Sequence, residues 1–336
     1  MRRLSKIIKL ENKPRIEATG SVVGTKEMHG PLAEHFDIAH PDERFGMKTF
    51  EQAESEMVRM ALEVAINKAG ITTDDIELAL GGDLQNQCVA QSFGLSQEKI
   101  PYVGLYGACS NMAEELMLGG ILINSNKFNR ISCSTSSHFA ASERQFRFPL
   151  EYGCQRPQTS QCTVTGAGCF ILTKNQAQKI FLNEVMPGII TDAEIKDANN
   201  MGAAMVQAAL NTIERYFLYS DMKPSDFDMI ITGDLGHEGS EILKELAFTK
   251  GIKLNSNYYD CGCIIYDRDK QDVHAGGSGC GCSAVVMASY IYDKLLKGEL
   301  KDVLFIGTGA LLSSGSVLQK LSIPAIAHLV RITREE

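Results

Sequence analysis

Three stretches of this chain recur, in the same order, in its second half, and that duplication constrains the fold more than any single motif. Residues 72–87, TTDDIELALGGDLQNQ, return 151 positions later as KPSDFDMIITGDLGHE at 223–238. Each copy follows a helical stretch and ends an apolar strand with Gly-Asp-Leu. GACSNMAEEL at 107–116 pairs with SGCGCSAVVM at 278–287, and RISCSTSSH at 130–138 pairs with DVLFIGTGALLS at 302–313. Three colinear pairs predict a duplicated α/β unit whose strand ends converge on one site between the halves. The expected division is 1–175 for the half carrying Cys109 and 176–336 for the other.

At 336 residues, each half has room for its own core. With 44% hydrophobic and 22% charged residues, the composition is that of an ordinary globular α/β protein. A net charge of −8 leaves no surplus of Lys and Arg to displace counterions, which argues against a nucleic-acid partner. The basic N-terminus MRRLSKIIKLENK lacks the apolar run and cleavage site of a signal peptide and is expected to begin the mature protein. No run approaches the roughly 18 apolar residues of a membrane span. Ten cysteines in a chain of this size suit a reducing compartment, as free buried thiols. Cys261-Gly-Cys263 and Cys280-Gly-Cys282 do not match a structural zinc spacing, so no metal and no cofactor are expected.

Thr49 is a candidate N-cap for a helix in which Met57, Met60, Ala61, Val64 and Ala65 recur at helical spacing before Gly70 stops it. Its second-half counterpart spans 201–219. Strands are expected at Ile76–Leu80, Phe227–Thr232, Arg130–Ser134 and Asp302–Ile306, and helices from Cys109 and over Gly276–Lys297. Asp83 and Cys109 are 26 residues apart, whereas Asp234 and Cys280 are 46 apart. The additional stretch contains NSNYYDCGCIIYDRDKQDVH and is expected to be a surface excursion.

Cys109 stands where unpaired N–H groups at a helix start attract anions and lower a thiol pKa; the alternative is a small side chain packed at a strand–helix corner. Ser110 adds a hydroxyl. His138 ends a strand rich in hydroxyls, Ser137 among them, and is either a donor to a bound anion or a structural histidine. Arg144 and Arg147 are either a carboxylate clamp or solvated surface charges. Asp83 and Asp234 either face the site or cap the next segment. His237 is either a general base or an exposed loop histidine. Glycines including Gly281 and Gly309 permit close approach of backbone or ligand.

With these residues placed, the chain resembles the thiolase superfamily and, within it, the stage V sporulation protein AD family. The resemblance rests on KEMHGPLAEHFD, GDLQNQ, YGACS, TSSHFAASERQFRFPLEYG, TVTGAG, TGDLG, DCGCIIYD, AGGSGCGCSAVV, GTGALLS and IPAIAH, which cover almost the whole length. It implies a five-layer αβαβα thiolase-like fold and binding of dipicolinic acid, pyridine-2,6-dicarboxylate, during its uptake into the developing spore. It also implies a homodimer, a cytoplasmic protein peripherally associated with the spore inner membrane, and other proteins of the same sporulation operon as partners. The ligand would arrive alone or as its calcium chelate. The nucleophile position of thiolases falls on Cys109, and His237 occupies the place of a condensing-enzyme histidine. Cys280-Gly281-Cys282 stands where many such enzymes have an asparagine, and Gly307-Thr308-Gly309 lacks the second cysteine of degradative thiolases. Binding without turnover is therefore expected, with Cys109, Ser110, Ser137, His138, Arg144, Arg147, Asp83, Gly281 and Gly309 around the ligand. The alternative is acyl transfer through a Cys109 thioester with His237 as base.

Overall fold

A computed structural model describes residues 7–146 and 156–336; Arg147 and Cys154 lie outside the described residues. The first half contributes strands β1 (Arg15–Val23), β2 (Leu78–Asp83), β3 (Tyr102–Gly104), β4 (Arg130–Ser137) and β5 (Gly166–Thr173). The second contributes β6 (Ile180–Met186), β7 (Met229–Thr232), β8 (Tyr258–Asp260), β9 (Asp302–Ala310) and β10 (Pro324–Arg334). Their order is β3-β2-β4-β5-β1 in one half and β8-β7-β9-β10-β6 in the other, the same topology written twice. The two sheets meet at a single antiparallel residue pair, Arg15 with Phe181.

Helices fill three layers around these sheets. On one outside lie α1 (Phe50–Ala69) and α2 (Val89–Leu95), and on the other α5 (Met201–Tyr219) and α6 (Gly236–Thr249). Between the sheets lie α3 (Asn111–Asn124) and α7 (Cys280–Val286), the latter running through one π-helical turn, Met287–Ile291, into α8 (Tyr292–Lys297). Helix α4 (Phe139–Phe146) follows β4. The alternation of side chains along the strands produces this stacking. On β5, Ala167, Cys169 and Ile171 face α1, whereas Phe170 and Leu172 face the central layer. On β9, Val303 and Phe305 face inward while Leu304 and Ile306 face α5. The result is the five-layer αβαβα arrangement.

The helix boundaries follow from capping. The Thr49 side chain accepts the Gln52 N–H at 3.2 Å, and Gly70, at φ 66°, closes α1 in the left-handed region. The stretch peculiar to the second half departs from expectation. Instead of a surface excursion it supplies β8, a one-turn helix at Cys261–Ile264, and Cys261, Ile265, Tyr266 and Val273 to the central core. Its charged residues Asp267–Lys270 hide an apolar set spaced too irregularly to show a periodicity. Among the described residues no helix is long and apolar enough to cross a membrane. None of the described cysteines is in a disulfide, and all but the half-buried Cys263 are buried.

Candidate functional site

Gly107 begins the turn that sets Cys109 at the head of the central layer. Ala108–Ser110 form one 3-10 turn, with Ala108 in the left-handed region at φ 50°, and α3 begins at Asn111. The Ser110 hydroxyl donates to the Gly107 carbonyl at 2.6 Å, and Asn111 Oδ1 accepts the Gly107 N–H. Strand β9 runs directly against this turn: a Cβ at Gly309 would lie 2.2 Å from the Gly107 oxygen. At the pseudo-symmetric place, a Cβ at Gly281 would lie 2.5 Å from the Gly166 oxygen, and the Gly281 N–H donates to Ser137 Oγ at 3.0 Å. Both glycines therefore serve backbone approach between the halves.

Cys109 is 5% exposed and packs with Ala108, Leu84 and Cys280. Its thiol lies beside the carboxyl of Asp234, and the two groups shift each other's titration. That carboxyl is fully buried and well held: Oδ1 accepts from Thr308 Oγ1 at 2.9 Å, and Oδ2 accepts from the Gly279 N–H at 3.0 Å and Ser278 Oγ at 3.2 Å. Burial pushes Asp234 up to about 7, against the hydrogen bonds that favour its charged form. Burial also pushes the Cys109 thiol well above its ordinary value, and the Asp234 charge pushes it further. The expectation of an acidified thiol is thus reversed. A helix N-terminus contributes about 0.3–2 kcal/mol toward an anion, whereas full burial shifts a thiol by up to roughly 3–5 pH units the other way.

A narrow cavity opens at Cys109, walled by Leu84, Tyr106, Phe146, Met201 and Leu312, with Ser142, Glu143, Thr163 and Ser278 as polar lining. Its water-accessible volume is about 30 Å³, room for one or two waters. Thr163 and Ser278 stand side by side because Cys162–Thr163 and Gly277–Ser278 form a short parallel pair that bridges the two halves. No Lys, Arg or His is among its described lining residues.

Of the described residues singled out by sequence, Cys109 alone lines this cavity. His138 is buried with both ring nitrogens occupied: Nε2–H donates to the Glu43 carbonyl at 2.8 Å, and Nδ1 accepts the Ala140 N–H at 3.1 Å. Burial lowers its pKa, so it is a neutral structural imidazole. Ser137 Oγ donates to the Val164 carbonyl at 2.7 Å and Ser110 is spent on its own turn. Arg144 pairs with Glu51 at 2.8 Å on the surface, with its side chain 53% exposed. Asp83 accepts the backbone N–H groups of Gln85 and Gln91 at 2.8 and 2.9 Å, capping the turn into α2. His237 sits in the first turn of α6 with its N–H on the Ala275 carbonyl at 2.8 Å and its ring against Gly276. Its pKa is lowered by burial and by the Arg268 charge. Asp234, which the sequence allows either to face the site or to cap the next segment, is the residue that lies beside the thiol. The signal that marked it was its equivalence to Asp83 in the repeat.

A duplicated five-layer fold with a cysteine at the head of a central helix defines a thiolase-like protein. Solved structures agree: 3-oxoacyl-[acyl-carrier-protein] synthase III from Aquifex aeolicus VF5 superposes with a TM-score of 0.58 at 12% identity, covering 95% of this chain and 99% of that one. Cerulenin-bound OleA from Xanthomonas campestris gives 0.61 at 10% identity, covering 99% and 98%. At such identities the likeness concerns the fold alone. The family model for Stage V sporulation protein AD matches residues 5–333, and the Stage V sporulation protein AD of Bacillus subtilis (strain 168) is 40% identical over 319 residues, covering 95% of this chain and 94% of that one. The chain belongs to the Stage V sporulation protein AD family.

Proposed function

We propose that this sporulation protein binds dipicolinic acid at the Cys109 cavity and takes part in its uptake into the developing spore without turning it over. The observation that supports binding over catalysis is the buried Cys109 thiol set beside the Asp234 carboxyl. A thiol held protonated by burial and by a neighbouring negative charge lacks the thiolate that thioester formation needs. The ring of the ligand would lie against Tyr106, Phe146 and Leu312, and its oxygens would meet the hydroxyls of Ser142, Thr163 and Ser278. Because about 30 Å³ is open at present, this wall must move outward to admit a ring.

The Asp234 carboxyl behind Cys109 favours the calcium chelate over the free dianion, whose carboxylate would meet like charge there. Calcium held by dipicolinate keeps coordination positions that carboxylate and hydroxyl oxygens can fill. The protein would act as a homodimer at the inner membrane beside other products of its operon. The dimer is supported by β3, which among the described residues pairs with β2 alone and leaves Val103 46% exposed, a ready pairing edge.

Calorimetric titration of dipicolinate, with and without calcium, into the wild type and Cys109→Ala tests the reading. Weaker binding by the variant supports it, and identical affinities remove this cavity as the site. Acyl transfer would leave a Cys109 thioester, visible as a mass increase after incubation with acyl-coenzyme A.

A further inference from the structure

A second cavity, of about 240 Å³, shares Thr163 with the Cys109 cavity but opens among residues of the first half that the proposed function does not use. Three charged residues line it, Lys26, Glu27 and Glu43, and Glu43 Oε1 is taken up by the Thr25 N–H at 3.0 Å and the Thr25 hydroxyl. Glu27 is 1% exposed; its Oε1 accepts the Thr165 N–H at 3.0 Å and is hydrogen-bonded by the Tyr266 hydroxyl. Its other oxygen, Oε2, is buried and has no hydrogen-bond partner among the described residues. A buried carboxyl oxygen in that condition is costly, and native structures rarely keep one without a use. Lys26, next in the chain, brings its ammonium 3.5 Å from Cys162 Sγ and 5.8 Å from the centroid of the Phe139 ring, both on the cavity wall. The same ammonium donates to the Asp272 carbonyl at 3.3 Å. Phe50 and Phe139 supply apolar faces, and His138 adds only its ring, since both nitrogens are engaged.

We propose that this cavity is a binding site for a small zwitterion of the α-amino-acid class, its ammonium on Glu27 Oε2, its carboxylate on Lys26 and its side chain between Phe50 and Phe139. The pairing of charges selects this class. A simple carboxylate would satisfy Lys26 and leave Glu27 Oε2 facing an acceptor, and a simple amine would place two cations together. An α-amino acid carries both groups on one carbon and so answers both residues, with Phe50 and Phe139 as apolar faces for its side chain.

The test titrates the full chain with L-leucine, with 4-methylpentanoate, which lacks the ammonium, and with 3-methylbutylamine, which lacks the carboxylate. Saturable one-to-one binding of leucine is expected, with each analogue weaker by about tenfold or more, the loss of one charge-assisted hydrogen bond. Glu27→Gln and Lys26→Met should each weaken leucine by a similar factor while keeping the wild-type circular dichroism spectrum. Absence of saturable leucine binding, an analogue equal to leucine, or unchanged affinity in both variants would overturn the proposal. Should either variant fail to fold, a leucine-soaked crystal of the wild type decides: density between Phe50 and Phe139 supports the assignment, and its absence there refutes it.

Discussion

Asp83 and Asp234 stand 151 positions apart at equivalent strand ends, yet only Asp234 reaches the Cys109 thiol. The first-half carboxyl is consumed by the backbone of the turn into α2, whereas the second-half carboxyl is aimed at the interface by Thr308, Ser278 and Gly279. The cysteines have diverged likewise: Cys280 donates its thiol to the Ser136 carbonyl at 2.9 Å. Duplication thus created two strand ends and two helix heads, and one of each pair was turned to packing.

Asp234→Asn removes the negative charge beside Cys109 while keeping an acceptor for Gly279. The thiol pKa should fall, so alkylation of the Cys109 peptide by iodoacetamide at pH 8 should quicken several-fold, followed by peptide mass spectrometry. An unchanged rate would deny Asp234 any hold on the thiol. The loss of one buried hydrogen bond should cost about 1–3 kcal/mol of stability.

Stability should fall as pH rises through neutrality. Burial raises the carboxyls of Glu27, Asp83 and Asp234 to about 7, Glu54 to about 8 and Asp260 to about 6. Their unfolded values lie near 4, so the folded state binds more protons between those limits. The stabilisation is complete below about pH 4 and is lost as pH rises through the folded pKa. His138 and His328 are shifted down and act in the opposite direction, but only below about pH 6.5. Between pH 6.5 and 8.5 the melting temperature should therefore decline by a few degrees. Glu54→Gln, which can still bond Ser136 and Gln85, should flatten that slope.

Gly309→Ala would force a Cβ onto the Gly107 oxygen. The turn bearing Cys109 must shift, at a cost of about 1–3 kcal/mol typical of overpacking. Both the melting temperature and dipicolinate affinity should drop; a wild-type affinity in a destabilised variant would uncouple the turn from the ligand.

Arg144→Ala should do almost nothing. The Arg144–Glu51 pair is exposed, and such pairs contribute about 0–1 kcal/mol. Dipicolinate affinity by calorimetry should match wild type, and a large loss would bring this arginine back to the site.

Val103→Lys places a charge on the open β3 edge, near the 45% exposed Tyr106. Light scattering coupled to size exclusion should show the wild type as a dimer and the variant as a monomer at the same concentration. A variant that remains dimeric would move the interface elsewhere.

The repeat made the topology legible before any coordinate: Gly-Asp-Leu after an apolar run, twice, marks equivalent strand ends, and Thr49 and Gly70 bound a helix by local capping chemistry alone. The site was legible only in part. Cys109 was visible because a Gly-Ala-Cys-Ser turn before an apolar helix is a local signal. The partner of its thiol was not, since Asp83 and Asp234 carry the same local signature and differ only in what the other half brings to them. The core role of Tyr266 and Cys261 was hidden by the charged residues beside them.

What the sequence by itself determined were features governed by neighbours along the chain: alternating strands, helix caps, the twofold repeat and the overall charge. What only the tertiary structure decided were protonation and access, because these depend on groups more than 100 residues apart sharing a space that excludes water. A helix head looks anion-ready in sequence; burial against a distant carboxyl makes it hold a neutral thiol.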